Sequence, residues 1–218
     1  MSTDPVEDLP LAHRLALAYA PAAARGATLT LLALDDRLAA ILRQRTETIL
    51  AQIKLAWWRD RLNEDAADWP LGEPLLARLA DWPGDKRRLV ALVYGWEALM
   101  AEHLDHSSTQ EFVRGRAAAW GALSSALGAS SAVPEAERAA CEWAMADLVM
   151  NLGEGDERER ALGLARSLSW RVARLPRALR PLAVLHGLAR RALARGGSEL
   201  LDGPGASLAA LRIGVYGR

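Results

Sequence analysis

Four leucines recur at three- and four-residue spacing early in the chain, at Leu31, Leu34, Leu38 and Leu42. This spacing places them on one face of a helix that packs against a core. The whole chain shares the helical character, because 43 alanines and 38 leucines outnumber 9 valines and 4 isoleucines, which favour strands. The 218 residues therefore predict one all-α domain, a single bundle of about eight to ten helices over residues 1–218.

Capping residues, prolines and glycines divide this pattern into separate helices. Thr46 is expected to cap a helix that runs to about residue 63. Ser108, with Glu111 three positions later, has the spacing of a capping box and is expected to begin another helix. Further helices are expected over residues 85–104, 156–172 and 176–195.

The residue types present also limit the chemistry and the partners of the chain. Cys141 is the only cysteine, which excludes an intrachain disulfide and favours a reducing compartment. The acidic start of the chain lacks the features of a secretory signal, and no stretch of roughly 20 apolar residues predicts a membrane-spanning helix. Phosphate loops, zinc motifs and a basic patch with interleaved aromatics are missing, so no nucleic-acid partner is expected. We therefore expect a cytoplasmic protein that is not secreted, either free or peripheral at the inner face of a membrane.

Two adjacent tryptophans mark the helix expected to end near residue 63. Trp57 continues an apolar stripe that contains Ile49 and Ile53, and this stripe is predicted to face the core. Trp58 points about 100° away and must face a neighbouring helix, a partner or a membrane interface. Asp60 lies close to the face of Trp57, and its carboxylate is expected to meet either an arginine of another helix or a ligand.

The net charge of +0 conceals an uneven distribution along the chain. Residues 1–157 carry 15 basic and 24 acidic side chains, whereas residues 158–195 carry ten arginines and one acid. On a helical wheel over residues 176–195, one side carries the arginines Arg177, Arg180, Arg191 and Arg195. This side is expected to be either the solvated face of a core helix or, together with Trp58, a surface for anionic lipid or an acidic partner.

Two segments of the chain resemble the N-terminal half of the squalene/phytoene synthase family. They are residues 31–39, which contain the acidic pair Asp35 and Asp36, and residues 53–62, which contain the Trp-Trp-Arg-Asp sequence. The resemblance covers residues 9–152 and is greatest to a divergent branch with short bacterial members and a mitochondrial assembly factor for respiratory complex I. It implies the all-α bundle of the isoprenoid synthase type.

The resemblance also implies where a substrate would bind. The family's enzymes join two prenyl diphosphates head to head, with Mg²⁺ held between two aspartate-rich helices. Alanines at positions 39 and 40 replace the next carboxylate of the first helix, and no Asp-x-x-x-Asp remains on the second. We therefore expect no metal-ligating or catalytic residue. The candidate substrate-binding residues are Asp35, Asp36, Trp57, Asp60, Asp147, Asn151 and Glu154.

Three functions remain open for such a chain. The first is a non-catalytic binding or assembly module without a cofactor, whose partner is a respiratory complex subunit or anionic lipid. The second is an active prenyl transferase for farnesyl or geranylgeranyl diphosphate, with Mg²⁺ held by the degenerate acidic motifs. The third is an isoprenoid or lipid carrier, which predicts a large apolar pocket between the faces of residues 31–42 and 49–57.

Overall fold

A computed structural model describes residues 6–44, 47–196, 199–203 and 205–217. Within these ranges the chain forms ten α-helices and no strand, which confirms the all-α class and the predicted number of helices. The helices in chain order are α1 (Leu11–Leu17), α2 (Ala22–Arg43), α3 (Thr48–Asn63), α4 (Pro74–Ala80), α5 (Val90–Ala98), α6 (His106–Ala126), α7 (Val133–Asn151), α8 (Asp156–Ser167), α9 (Arg180–Ala194) and α10 (Gly205–Tyr216).

Several helix ends differ from the sequence-based expectation. The segment predicted as one helix over residues 85–104 consists of a 3-10 turn, Lys86–Leu89, which the Asp85 carboxylate caps, and of α5, which ends at Ala98. Helix α6 begins one turn earlier than predicted. Its cap is Asp105, and Ser108 is the returning partner of the capping box, so the prediction that Ser108 is the cap was wrong. The predicted cap Thr46 lies outside the described residues.

The centre of the bundle is helix α7, which packs against α6, α8 and α9. Small side chains let these helices approach closely, and Ala139, Ala140 and Ala144 on α7 are fully buried. Trp143 of α7 meets Trp120 of α6 edge to face, with ring centroids 6.3 Å apart. Small alanines and two large rings thus fill the central interface.

Helix α3 turns a different face to the core than the sequence predicted. Trp58 is 3% exposed and lies in the core, whereas Ile49 and Ile53 are 68% and 58% exposed. A competing stripe explains this, because Leu55, Trp58 and Leu62 also follow helical spacing and all three are buried. The prediction that Trp57 shares a core stripe with Ile49 and Ile53 was therefore wrong, and Trp58 is not available as a membrane or partner surface.

Buried hydrogen bonds hold the segment between α8 and α9 against α7. Glu142 of α7 accepts from Ser169 Oγ at 2.7 Å, from the backbone N–H of Trp170 at 3.1 Å and from Arg138 Nη1 at 2.7 Å. The same carboxylate lies 2.6 Å from Nε2 of His186 on α9. These bonds draw the chain out of helix after residue 167, so the helix predicted over residues 156–172 is shorter.

Helix α9 is a core helix, and its arginines have different environments. Leu182, Leu185 and Leu188 are fully buried. Helix α10 packs on α9, and Arg191 donates to the backbone carbonyl of Asp202 at 2.6 Å. The four arginines therefore do not form one open face: Arg180 and Arg191 are half-buried, whereas Arg177 and Arg195 are exposed.

Candidate functional site

A cavity of about 440 Å³ opens between α2, α6, α7 and the segment that follows α5. Its wall is apolar on one side, with Ala39 and Leu42 of α2 and Leu148 of α7. Four of the residues predicted to bind substrate meet there, Asp35 and Asp36 from α2 and Asp147 and Asn151 from α7. The polar side chains of its lining are His13, Asp35, Asp36, Arg43, Glu102, Arg116, Asp147, Asn151 and Glu157.

The guanidinium of Arg116 joins the two acidic helices at the inner end of this cavity. It contacts Asp35 with Nε at 3.1 Å from Oδ1 and Nη2 at 3.0 Å from Oδ2, and its Nη1 donates to Asp147 Oδ2 at 2.5 Å. Asp35 also accepts from the indole N–H of Trp96 at 2.8 Å. One cation on α6 thus pairs with a carboxylate from α2 and with another from α7.

Aromatic rings enclose the Arg116 guanidinium on several sides. Its central carbon lies 5.1 Å from the ring centre of Trp96, 4.8 Å from that of Phe112 and 4.5 Å from that of Trp143. Burial lowers the pKa of Arg116, but the charges of Asp35 and Asp147 outweigh this and raise it. The arginine is therefore a fixed internal cation at neutral pH.

A buried histidine borders the same group. His13 of α1 is 6% exposed, and its ring meets that of Trp143 edge to face at 5.7 Å. Burial lowers its pKa, which keeps the imidazole neutral at pH 7. Its Nδ1 is buried and has no hydrogen-bond partner among the residues that the structure describes.

The acidic groups of the cavity do not suit a magnesium site. Mg²⁺ needs several free oxygen ligands, but Asp35 and Asp147 already share Arg116, and Asp36 pairs with Arg43 at 3.0 Å. Asn151 turns its amide to the backbone carbonyl of Asp147 at 2.8 Å. In the described ranges no group of three or more His, Cys, Asp or Glu side chains is arranged to hold a metal ion.

Three other predicted substrate-binding residues lie away from this cavity. Asp60 is exposed, and its carboxylate lies 3.6 Å from Arg59 of its own helix. Among the described residues it pairs with no arginine of another helix, and it does not line the cavity. Trp57 is half-buried beside a shallower groove between α2 and α3. Glu154 is exposed in the turn after α7. The groove between α2 and α3 lies where a carrier predicts an apolar pocket, but Arg37, Lys54 and Glu73 line it. Leu31 and Leu38 are packed in the core and do not line it.

Sequence reasoning missed the residue that organises the site. Arg116 stands at the start of a run of alanines on a predicted helix, and a charged residue among small apolar residues is rarely buried without a partner. That placement was the sequence signal that could have identified Arg116 as a site residue. Glu102, Glu157 and His13 carried no comparable signal, because loops and sequence-distant helices bring them to the cavity.

The bundle also exposes groups of three or more large apolar side chains on each of two helices. They are Ile49, Leu50 and Ile53 on α3, and Leu208, Leu211, Val215 and Tyr216 on α10. None of the helices in the described ranges has both the length and the apolar character that a membrane crossing requires.

Comparisons of the chain with protein-family models, with curated proteins and with solved structures give no match.

Proposed function

We propose that the protein is a squalene/phytoene synthase-like bundle of the isoprenoid synthase type that binds a ligand or partner without catalysing Mg²⁺-dependent condensation. One observation carries this proposal, the Arg116 guanidinium placed between Asp35 and Asp147. In the family that the sequence resembles, Mg²⁺ lies between carboxylates of two such helices. Here an arginine pairs with both carboxylates instead, and each of its three nitrogens already contacts one of them.

The consequence for prenyl diphosphate chemistry follows from charge. Ionising an allylic diphosphate requires cations that stabilise the departing diphosphate. The Arg116 guanidinium cannot stabilise a departing diphosphate while it is bound to two carboxylates and covered by aromatic rings. A diphosphate would also meet the carboxylates of Asp36 and Glu157 in the same cavity.

Turnover of prenyl diphosphates tests the proposal directly. The purified protein is incubated with farnesyl or geranylgeranyl diphosphate and Mg²⁺, and released diphosphate and apolar products are measured. We expect no release above that of heat-denatured protein. Mg²⁺-dependent release that Asp35→Asn abolishes and Asp60→Asn preserves would establish the alternative, an active prenyl transferase.

The partner in this proposal is a respiratory complex subunit or anionic lipid, with the protein peripheral at the inner membrane face. The exposed apolar side chains of α3 support a protein partner, because exposed apolar patches commonly mark interaction surfaces. Tagged protein should co-purify with a respiratory subunit, and Ile53→Glu should reduce this more than Leu71→Glu, a change at an exposed leucine outside that patch. Sedimentation with anionic and with neutral vesicles tests the lipid alternative.

A further inference from the structure

The lining of the cavity carries more acid than base. Its five carboxylates belong to Asp35, Asp36, Glu102, Asp147 and Glu157, and its two guanidinium groups to Arg43 and Arg116. His13 adds no charge, because burial lowers the pKa of its imidazole. The lining therefore has three negative charges in excess at neutral pH.

Two of these three charges belong to Glu102 and Glu157, outside the Arg116 pairs, and the third is the charge that a single Arg116 leaves uncompensated between Asp35 and Asp147. Glu157 accepts a hydrogen bond from the backbone N–H of Leu104 at 2.9 Å, and neither it nor Glu102 forms an ion pair within the described ranges. The second oxygen of Asp147 receives only a 3.4 Å contact from the Asn151 amide. Negative charge focused in a cleft with apolar walls attracts cations and repels anions.

The remaining wall would accept hydrocarbon. Leu42, Leu99, Leu148 and Leu152 line the cavity, and its volume of about 440 Å³ is within the range of small-molecule sites. The buried Nδ1 of His13, which has no partner among the described residues, is a further polar group at this cavity. The inner end already holds one organic cation, the protein's own guanidinium, between carboxylates and aromatic rings.

We infer that the cavity binds a small amphiphilic organic cation. Its ammonium or guanidinium group would lie against the carboxylates of Glu157 and Asp147, and its hydrocarbon part against the leucines. The inference rests on the proposed non-catalytic function, because it assigns the acidic groups to a ligand cation and not to Mg²⁺. A prenyl diphosphate has the wrong charge for this site.

Calorimetric titration without Mg²⁺ tests this ligand class with octylammonium, octanol, octanoate and farnesyl diphosphate as probes. We expect octylammonium to bind at least about tenfold more tightly than octanoate, since one charge-assisted contact is replaced by repulsion. Octanol should fall between the two. Glu157→Gln, which keeps an acceptor for Leu104, should weaken octylammonium binding by about fivefold or more.

Glu154→Gln is the matched control, because it removes the same charge from an exposed residue outside the cavity. Asp36→Asn provides a second variant within the cavity and should also weaken binding. Tighter binding of octanoate or farnesyl diphosphate, no binding of octylammonium, or equal effects of Glu157→Gln and Glu154→Gln would overturn the inference. Mg²⁺-dependent diphosphate release would instead overturn the proposed function, so the two failures are distinguishable.

Discussion

Arg116 and Asp35 form a two-pronged ion pair whose side chains are 4% and 5% exposed, and they lie 81 residues apart in the chain. Removing one partner of such a pair leaves an uncompensated buried charge. Arg116→Met would leave both Asp35 and Asp147 without a cation, so we expect a loss of about 3–5 kcal/mol in the free energy of unfolding. Urea denaturation followed by tryptophan fluorescence measures it.

Arg43→Met is the control for that change. Arg43 pairs with Asp36 at 3.0 Å, but its side chain is 57% exposed, so water screens the interaction. We expect this variant to lose less than about 1 kcal/mol. Equal losses of unfolding free energy in the two variants would show that the buried pair stabilises the bundle no more than the exposed pair does.

Glu142 is expected to make the free energy of unfolding depend on pH in the acid range. Burial raises the pKa of its carboxyl, but hydrogen bonds from His186, Ser169 and Arg138 outweigh this and lower the pKa to about 2. The unfolded chain therefore takes up a proton at this group before the folded chain does, and stability falls as the pH drops from about 4.5 toward 2. Glu142→Gln should flatten this part of the curve.

The measurement is the free energy of unfolding from pH 6 to pH 3 for the wild type and the variant. Glu142→Gln should also lose about 3 kcal/mol at pH 7, because His186 and Arg138 lose a buried anionic partner. Glu154→Gln, at an exposed carboxylate, should keep the wild-type curve. An unchanged acid slope in Glu142→Gln would contradict the assignment of this pH dependence to Glu142.

Local sequence pattern predicted the helices well, but it predicted the buried face of α2 and not that of α3. The α2 stripe of Leu31, Leu34 and Leu38 is buried as predicted, since one clear stripe leaves a single choice of face. Helix α3 offered two stripes with the same spacing, and neighbouring helices bury the one that contains Leu55 and Trp58. Periodicity alone cannot decide between two such faces.

The sequence likewise indicated some residues of the candidate site and missed others. The resemblance selected Asp35 and Asp147, and both lie in one cavity. It did not indicate Arg116, because the partner of a buried carboxylate is set by tertiary packing and not by spacing along a helix. Trp57 and Asp60 were selected from the Trp-Trp-Arg-Asp motif of α3, and no residue of α3 lines this cavity.

His13 predicts a second pH dependence, near neutrality. Burial lowers the pKa of its imidazole below the ordinary value of 6.5, so the unfolded state binds a proton that the folded state does not. Stability should therefore fall as the pH drops below about 6.5. His13→Gln should reduce this slope between pH 7.5 and 5.5, measured by urea denaturation. His103→Gln, at an exposed histidine, should retain it, and the same slope in both variants would count against His13.

Two glycine-to-alanine changes, one at the crossing of α5 and α6 and one within α2, are expected to have opposite effects on stability. A Cβ at Gly115 would collide with the backbone carbonyl of Ala91 and lie 3.0 Å from the Cα of Gly95, so the helices would have to separate. Gly115→Ala should cost about 1–3 kcal/mol of unfolding free energy. Gly26→Ala, within α2 and with no atom within 4 Å of the new Cβ, should stabilise by about 0.5–1 kcal/mol. Thermal unfolding of both variants tests the pair, and a stabilised Gly115→Ala would show that the crossing tolerates a methyl group.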